Sequence, residues 1–459
     1  MLFSSLVFLC VFLPLLLFVY YTAPRSWRNG ILLASSLLFY AWGEVVLVWV
    51  MVASILWNHF AACLIGSTER AAGRKLLLAV AVIVDLAALG YFKYTDFFLA
   101  NCNALFGLAL PLRRIVLPIG ISFYTFQAIS YLVDVYRHDT PAEKSLLDTG
   151  LYIAFFPQLI AGPIVKFHEI AGYIRQRTET LEDFAAGMQR FLEGLAKKVL
   201  IANVMAETAD TIFSSNPEVL LPQEAWIGIF AYSMQIFFDF SGYSDMAIGL
   251  GKLFGFRIPE NFDYPYTAVS VTQFWRKWHI SLSTWFKEYL YIPLGGSREG
   301  QGKTLRNLGI VFLVTGFWHG AGWNFIFWGA WHGAFVLFER IFRLDKRRIP
   351  VLGNCYLLLV VLIGWVFFRA ESFGAALAFL RRMFAVGGRQ GGEMLPLSGI
   401  FVLMSAVAVF YSTALPRIIY GRLRERGVFC WRILCLGLLF LVLLRLAGSS
   451  YNPFIYFRF

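Results

Sequence analysis

The sequence is short of charge. Asp, Glu, Lys and Arg make up 15% of its 459 residues, where soluble domains carry roughly 25%. That is too little polar surface to coat a soluble domain of this size. Hydrophobic residues reach 59% and mean hydropathy is +0.65, so the excess apolar area calls for lipid. Acidic residues are scarcer than basic ones, 28 against 40, a net charge of +12. In a soluble chain that excess would suggest nucleic acid. Here the bases sit in short loops between apolar runs, where they fix topology, and no nucleic-acid partner is expected. Cysteine is scarce as well. Cys10, Cys63, Cys102, Cys355, Cys430 and Cys435 form no CxxC pair, which leaves no zinc or dithiol signature. They read as small hydrophobes packed in helices. The chain has no P-loop, no G-x-G-x-x-G opening a helix after a strand, no H-E-x-x-H and no G-x-S-x-G. Nucleotide hydrolysis, Rossmann redox chemistry, zincin proteolysis and α/β-hydrolase chemistry therefore have no support, and neither metal nor cofactor is expected.

Aromatics are abundant: 46 Phe, 21 Tyr and 14 Trp. Trp and Tyr favour membrane interfaces, where an apolar ring and a polar tip are both accommodated. The first apolar run, Met1 to about Thr22, lacks a basic leading segment and an A-x-A cleavage site, so it reads as a retained helix. Crossing a bilayer takes roughly 20 apolar residues. Runs of that kind recur near 31–65 (two helices broken at Trp42-Gly43-Glu44), 76–97, 115–135, 148–165, 188–212, 224–254, 307–342 (again two), 353–369, 395–415 and 430–447. The expectation is an all-α polytopic membrane protein with about eleven transmembrane helices. Two stretches, 166–190 and 256–306, are too polar to span and too apolar for ordinary loops. The second mixes Trp275, Trp278, Trp285, Tyr289 and Tyr291 with Arg276, Lys277, Lys287 and Arg298, a pattern for interfacial or re-entrant helices. Basic loops at Arg25/Arg28, Arg70/Arg74/Lys75, Lys166 to Lys198, Lys346-Arg347-Arg348 and Arg417 to Arg426 place those loops in the cytoplasm and both chain ends outside. Arg381, Arg382 and Arg389 run against that orientation. With no long linker, low-complexity tract or internal repeat, 1–459 reads as a single membrane domain.

Only six histidines are present, three of them between 279 and 332. His319, in Gly316-Phe317-Trp318-His319-Gly320, lies inside an apolar run. Ionisable groups at membrane depth are costly and are candidates for function, although a neutral imidazole also serves as a packing residue. His332, in Trp328-Gly329-Ala330-Trp331-His332-Gly333, follows thirteen residues later. On one unbroken helix the two rings would face different ways, roughly 20 Å apart. Gly320, Gly322 and Asn324 argue for a break between them, and His332 reads equally as packing or reactive. His279 reads either as reactive or as an interfacial histidine beside bases. Asp239 and Asp245 flank Phe240-Ser241-Gly242-Tyr243-Ser244 within an apolar segment. They suggest either a buried network or a polar funnel, with Gly242 permitting a helix break. The run Phe155 to Ile164, with Pro157, Gly162 and Pro163, breaks a helix twice, as backbone lining a cavity or packed in protein does.

Taken in order, Phe156-Pro157-Gln158 to Gly162-Pro163, Asp239 to Asp245, Phe274-Trp275 to Trp278-His279-Ile280-Ser281-Leu282-Ser283, Tyr291-Ile292-Pro293-Leu294-Gly295-Gly296 and Trp318-His319-Gly320 resemble the membrane-bound O-acyltransferase superfamily. The resemblance is nearest to the bacterial branch of alginate O-acetyltransferases and the teichoic-acid D-alanylation membrane protein. The ending Asn452-Pro453-Phe454-Ile455-Tyr456-Phe457 resembles the alginate-acetylating group. It implies a tunnel-containing core over about 111–345, peripheral helices over about 1–110 and C-terminal helices over about 350–459. His319 falls at the position of the family's active histidine and His279 at that of a second polar residue. Around them, His332, Asn324, Asp239, Asp245 and Trp318 are candidate supporting residues. Arg276, Lys277, Lys287 and Arg298 fit donor phosphates or topology alone. The implied reaction moves an acetyl group from cytoplasmic acetyl-CoA to a hydroxyl on a cell-envelope glycan or on a periplasmic partner, in the bacterial cytoplasmic membrane. Two other readings are D-alanyl transfer from a carrier-protein thioester and a transporter or lipid flippase, the latter accounting for broken helices and buried Asp.

Overall fold

The computed structural model describes residues 1–344, 350–385, 396–426, 428–448 and 451–455, with side chains except at 420 and 422–434. Lys346, Arg347, Arg348, Arg389, Tyr456 and Phe457, and the side chains of Arg422, Arg424, Arg426 and Cys430, lie outside the described residues. Among the described residues every regular element is helical. The chain divides into two compact units: 1–191 with 246–259, and 192–245 with 260–459.

In the first unit the apolar run over 31–65 does break near Trp42, giving helices Arg28–Ala41 and Val48–Ser67. The following helix, Ala71–Phe106, is longer than expected at 36 residues and ends on Gly107 in the left-handed conformation, a usual stop signal. Both Val48–Ser67 and Ala71–Phe106 pack on Ile121–Arg137. The Phe155–Ile164 run stops helix Leu146–Ala154 and restarts as a single turn, Phe156–Leu159. Its residues are buried, and Gln158 donates to the Tyr152 carbonyl at 2.7 Å. This broken backbone is thus packed in protein. Between 176 and 180, Glu179 accepts from Tyr20 at 2.5 Å and from Arg28 at 2.7 Å. Burial pushes this carboxyl up, but those bonds and the Arg28 charge outweigh it and hold the group below its ordinary value. Stability from a lowered carboxylate is present above the unfolded pKa, near 4.3, and is lost as pH falls through the folded one. Glu179→Gln is therefore expected to weaken the fold at neutral pH and to flatten its loss of stability toward acid. Thermal melts across that range check this, and parallel acid profiles for both proteins would refute it.

The second unit is built on a helical hairpin, Gln301–His319 and Trp323–Ile341, turned by Gly320-Ala321-Gly322. The two helices close up at Gly316 and Gly329, where a Cβ on Gly316 would lie 3.0 Å from the Gly329 Cα. Small residues allow such backbone approach. Pro350–Arg369 packs beside Trp323–Ile341. The expected short helices of 256–306 are present as Val271–Lys277 and Ile280–Phe286, followed by a π-turn at Lys287–Tyr291. The first is capped twice: Ser270 accepts from Gln273 N–H, and buried Glu339 accepts from Val271 and Thr272 N–H at 2.6 and 2.8 Å. Such bonds satisfy amides that a helix start leaves open.

Among the described residues three helices are long and apolar enough to cross a bilayer by themselves: Val48–Ser67, Ala71–Phe106 and Pro350–Arg369. On Ala71–Phe106, Leu76, Ile83, Phe98 and Leu105 are each more than 60% exposed, an apolar surface suited to lipid. Among the described residues, the helices of the other expected crossings fall short in length or in apolarity.

One expectation is corrected. Asp239 to Asp245 does not break its helix, which runs unbroken as Pro222–Leu253. Gly242 serves close packing, since a Cβ there would lie 2.7 Å from the Gly194 carbonyl oxygen. The carboxylates are neutralised from the neighbouring helix: Asp239 by Lys198 at 2.8 Å and Asp245 by Lys197 at 2.6 Å. Lys197 and Lys198 are thus ion-pair partners on a π-turn, Lys197–Ala202, that runs straight into helix Asn203–Ser214, and not loop bases.

Candidate active site

All the residues described next belong to the second unit. His319 is the last residue of its helix, released by extended Gly320. Its ring is buried and packs edge-on against Trp318, Trp328 and Phe368, with centroids 4.8, 5.0 and 5.1 Å away. It lines a cavity of about 10 Å³ together with Phe240, Trp278, Trp328, Phe368 and Ile455. That is room for about one water molecule.

His279 occupies the turn between the two short helices, with φ 45° and ψ 55°, a left-handed conformation that is strained for a residue with a side chain. Asn261 holds it there. The Asn261 carbonyl accepts from Ile280 N–H at 3.0 Å, and its side-chain oxygen accepts from Ser281 N–H and Oγ at 3.2 and 2.9 Å. The same oxygen lies 3.2 Å from His279 Nδ1. An acceptor there places the neutral ring's proton on Nδ1 and leaves Nε2 as a lone pair. Nε2 is buried without a hydrogen-bond partner among the described residues. The ring stands edge-on to Phe240 at 4.6 Å and lies 6.4 Å from Trp318. The two histidines therefore share neighbours: both pack on Trp318, and Phe240 joins the ring of one to the cavity of the other.

The hairpin turn explains His332. His332 lies one turn beyond Trp328 on the same helix, 5.2 Å from its ring, and the turn folds that indole back onto His319. His332 is fully buried among Trp275, Trp328 and Trp365. Its Nε2 would lie 2.6 Å from a Cβ placed on Gly364. Its surroundings are those of a packing residue, outside the lining of the His319 cavity. Asn324 acts as a bolt, donating to the carbonyls of Phe367 at 3.2 Å and Ala370 at 2.9 Å, which the end of helix Pro350–Arg369 would otherwise leave open. Asp239 reaches the cavity indirectly. Its Oδ2 accepts from Ile455 N–H at 2.9 Å, and Lys198 also donates to the Pro453 carbonyl. Asp245 sits in the Lys197 pair. Arg276, Lys287 and Arg298 are exposed, and Lys277 lies 3.3 Å from Asp263. None of these four lines the His319 cavity.

Sequence reasoning missed Asn261, Lys198, Phe240, Phe368 and Ile455. It also missed an open pocket of about 840 Å³ whose walls include Asp210, Thr211, Asn324, Phe368, Arg369 and Tyr451. Phe368 lines both spaces.

Comparison with known proteins follows the same residues. Residues 144–370 match the family described as MBOAT, membrane-bound O-acyltransferase family. Over its whole length the chain is similar to the whole of a "probable alginate O-acetylase" of Pseudomonas putida, 43% identical across 490 aligned positions. It is 36% identical to a peptidoglycan O-acetyltransferase of Helicobacter pylori, over 84% of this chain and 80% of that one. A teichoic acid D-alanyltransferase of Bacillus subtilis is 28% identical over 47% of this chain and 57% of its own.

Proposed function

Because the chain belongs to the membrane-bound O-acyltransferase family, in its alginate O-acetylase-like branch, we propose that it moves an acetyl group from cytoplasmic acetyl-CoA to the hydroxyl of an envelope glycan or of a periplasmic partner acetyltransferase. In this reading it is one functional domain in the bacterial cytoplasmic membrane, with about eleven crossings, both ends outside and no bound cofactor. Membership of an acyltransferase family replaces the transporter reading.

The observation that carries the mechanism is the place of His319: buried, at a helix break, on the wall of a cavity. A neutral imidazole there takes the proton of the acceptor hydroxyl as its oxygen attacks the thioester carbonyl. The C–S bond then breaks, the acetyl group stays on the acceptor oxygen, and the departing thiolate recovers the proton from His319. His279, with its lone pair on Nε2, accepts a hydrogen bond and so orients the donor. It polarises the carbonyl only when protonated. Arg276, Lys277, Lys287 and Arg298 meet the CoA phosphates.

D-alanyl transfer stands second, resting on a more distant and partial likeness. The test uses the purified protein in lipid nanodiscs with acetyl-CoA labelled in the acetyl group, or with a D-alanyl carrier-protein thioester. Release of free CoA and transfer of label to a supplied glycan or partner protein supports the acetyl reading. Turnover of the D-alanyl donor alone moves the assignment to D-alanylation, and no turnover of either, with a partner present, refutes both.

A further inference from the structure

The cavity beside His319 is too small for its proposed use. About one water molecule fits, whereas an acceptor must bring a hydroxyl and the atoms that carry it. The neighbouring 840 Å³ pocket has the room, and the ring of Phe368 is the wall the two spaces share. Phe368 is 4% exposed, and its ring lies 5.1 Å from His319 and 5.3 Å from Phe325, another residue of the pocket wall.

The backbone on both sides of Phe368 is held. Asn324 clamps the carbonyls of Phe367 and Ala370. Arg369 turns into the pocket and pairs with Asp210 at 2.8 Å, and Asp210 also accepts from Tyr451 at 2.6 Å. With the main chain pinned, the freedom left at this position is rotation of the ring between staggered positions. The pocket wall offers carboxylates, hydroxyls and the Asn324 amide; of its acids Glu207 pairs with Arg445 and Asp210 with Arg369, the one cation on the wall itself, and Glu371 adds a third carboxylate. Such a wall suits an uncharged hydroxyl-bearing acceptor and lacks the surplus of cations that a polyanion would need.

We propose that Phe368 is the gate between acceptor pocket and His319. Rotated away, it joins the two spaces and lets an uncharged hydroxyl group reach the imidazole. Rotated in, as here, it keeps bulk water from the reacting thioester. This rests on the reading of His319 as the site of acyl transfer, but its test does not depend on turnover.

The experiment is carbethoxylation of histidines by diethylpyrocarbonate in nanodiscs, followed residue by residue by mass spectrometry. Two histidines serve as internal references: His138 is exposed and His332 fully buried. In Phe368→Ala, and to a smaller extent in Phe368→Leu, His319 should react about tenfold faster or more, as expected when a local barrier is removed. His138 and His332 should be unchanged, and Phe368→Trp should slow His319. Where thioester turnover is observed, Phe368→Ala should also raise hydrolysis relative to transfer. An unchanged His319 rate, or one that rises together with that of His332, overturns the gate. A His319 rate that rises in a protein that turns over neither thioester with a partner present leaves Phe368 as a barrier to His319 but refutes its role in acyl transfer.

Discussion

In His319→Ala, acyl transfer is expected to fall by about 10²–10⁴-fold, the contribution of one positioned general base. The expectation rests on the cavity at this ring. With the imidazole gone, the acceptor hydroxyl would have to attack while still protonated, or lose its proton to water in a space that holds about one such molecule. His319 also packs against Trp318, Trp328 and Phe368, so truncation removes packing as well as a base. Folding must therefore be read first, from the unfolding midpoint and the detergent-solubilised elution profile. His319→Gln separates the two roles, because it keeps much of the volume and a hydrogen-bonding tip but cannot take up a proton near neutral pH. Both variants should lose activity to about that extent, and added imidazole should restore part of the activity of the smaller one. Folded variants that keep transfer within about tenfold of wild type would rule out His319 as the base.

Local signals in the sequence located the breaks. Trp42-Gly43-Glu44 and Gly320-Ala321-Gly322 interrupt apolar runs too long for one crossing, and helices end at both places. The mixed aromatic and basic stretch over 256–306 likewise became short helices. Asp239 to Asp245 misled because what keeps that helix whole lies some forty residues away. Lys197 and Lys198 look like topology bases until the fold places them on the carboxylates. His319 stood out through a resemblance, while physics alone favoured a packing histidine, the role whose surroundings His332 has. Phe368 carried no signal at all. In a chain that is 18% aromatic, one phenylalanine at a helix end looks like any other, and only its two neighbouring spaces distinguish it. The number of crossings is obscured for a related reason. A span rule counts unbroken apolar helices, and this chain builds much of its second unit from short and interrupted ones.

Asp239→Ala is expected to destabilise the protein by about 3–5 kcal/mol, the cost of leaving one partner of a buried ion pair without its counter-charge. Lys198 and Asp239 are 3% and 1% exposed, 2.8 Å apart, so little solvent reaches the ammonium that would remain. The same carboxylate holds the C-terminal segment, accepting from Ile455 N–H at 2.9 Å, while Lys198 donates to the Pro453 carbonyl. Ile455 in turn lines the cavity of His319. Two consequences can therefore be separated. Replacing both members, as in Lys198→Met with Asp239→Leu, removes the uncompensated charge, and apolar replacement of a buried pair is often neutral for stability. The double variant should thus recover most of the stability lost in Asp239→Ala, as measured by chemical denaturation in matched lipid. It should not recover activity, because the Ile455 N–H then loses the carboxylate that holds it beside the cavity. Asp239→Asn should fall between them, since its amide oxygen still accepts from Ile455 but no longer balances the ammonium. A double variant as unstable as the single one would mean that the pair is not the source of the loss. One that is both stable and fully active would separate Asp239 from the site altogether.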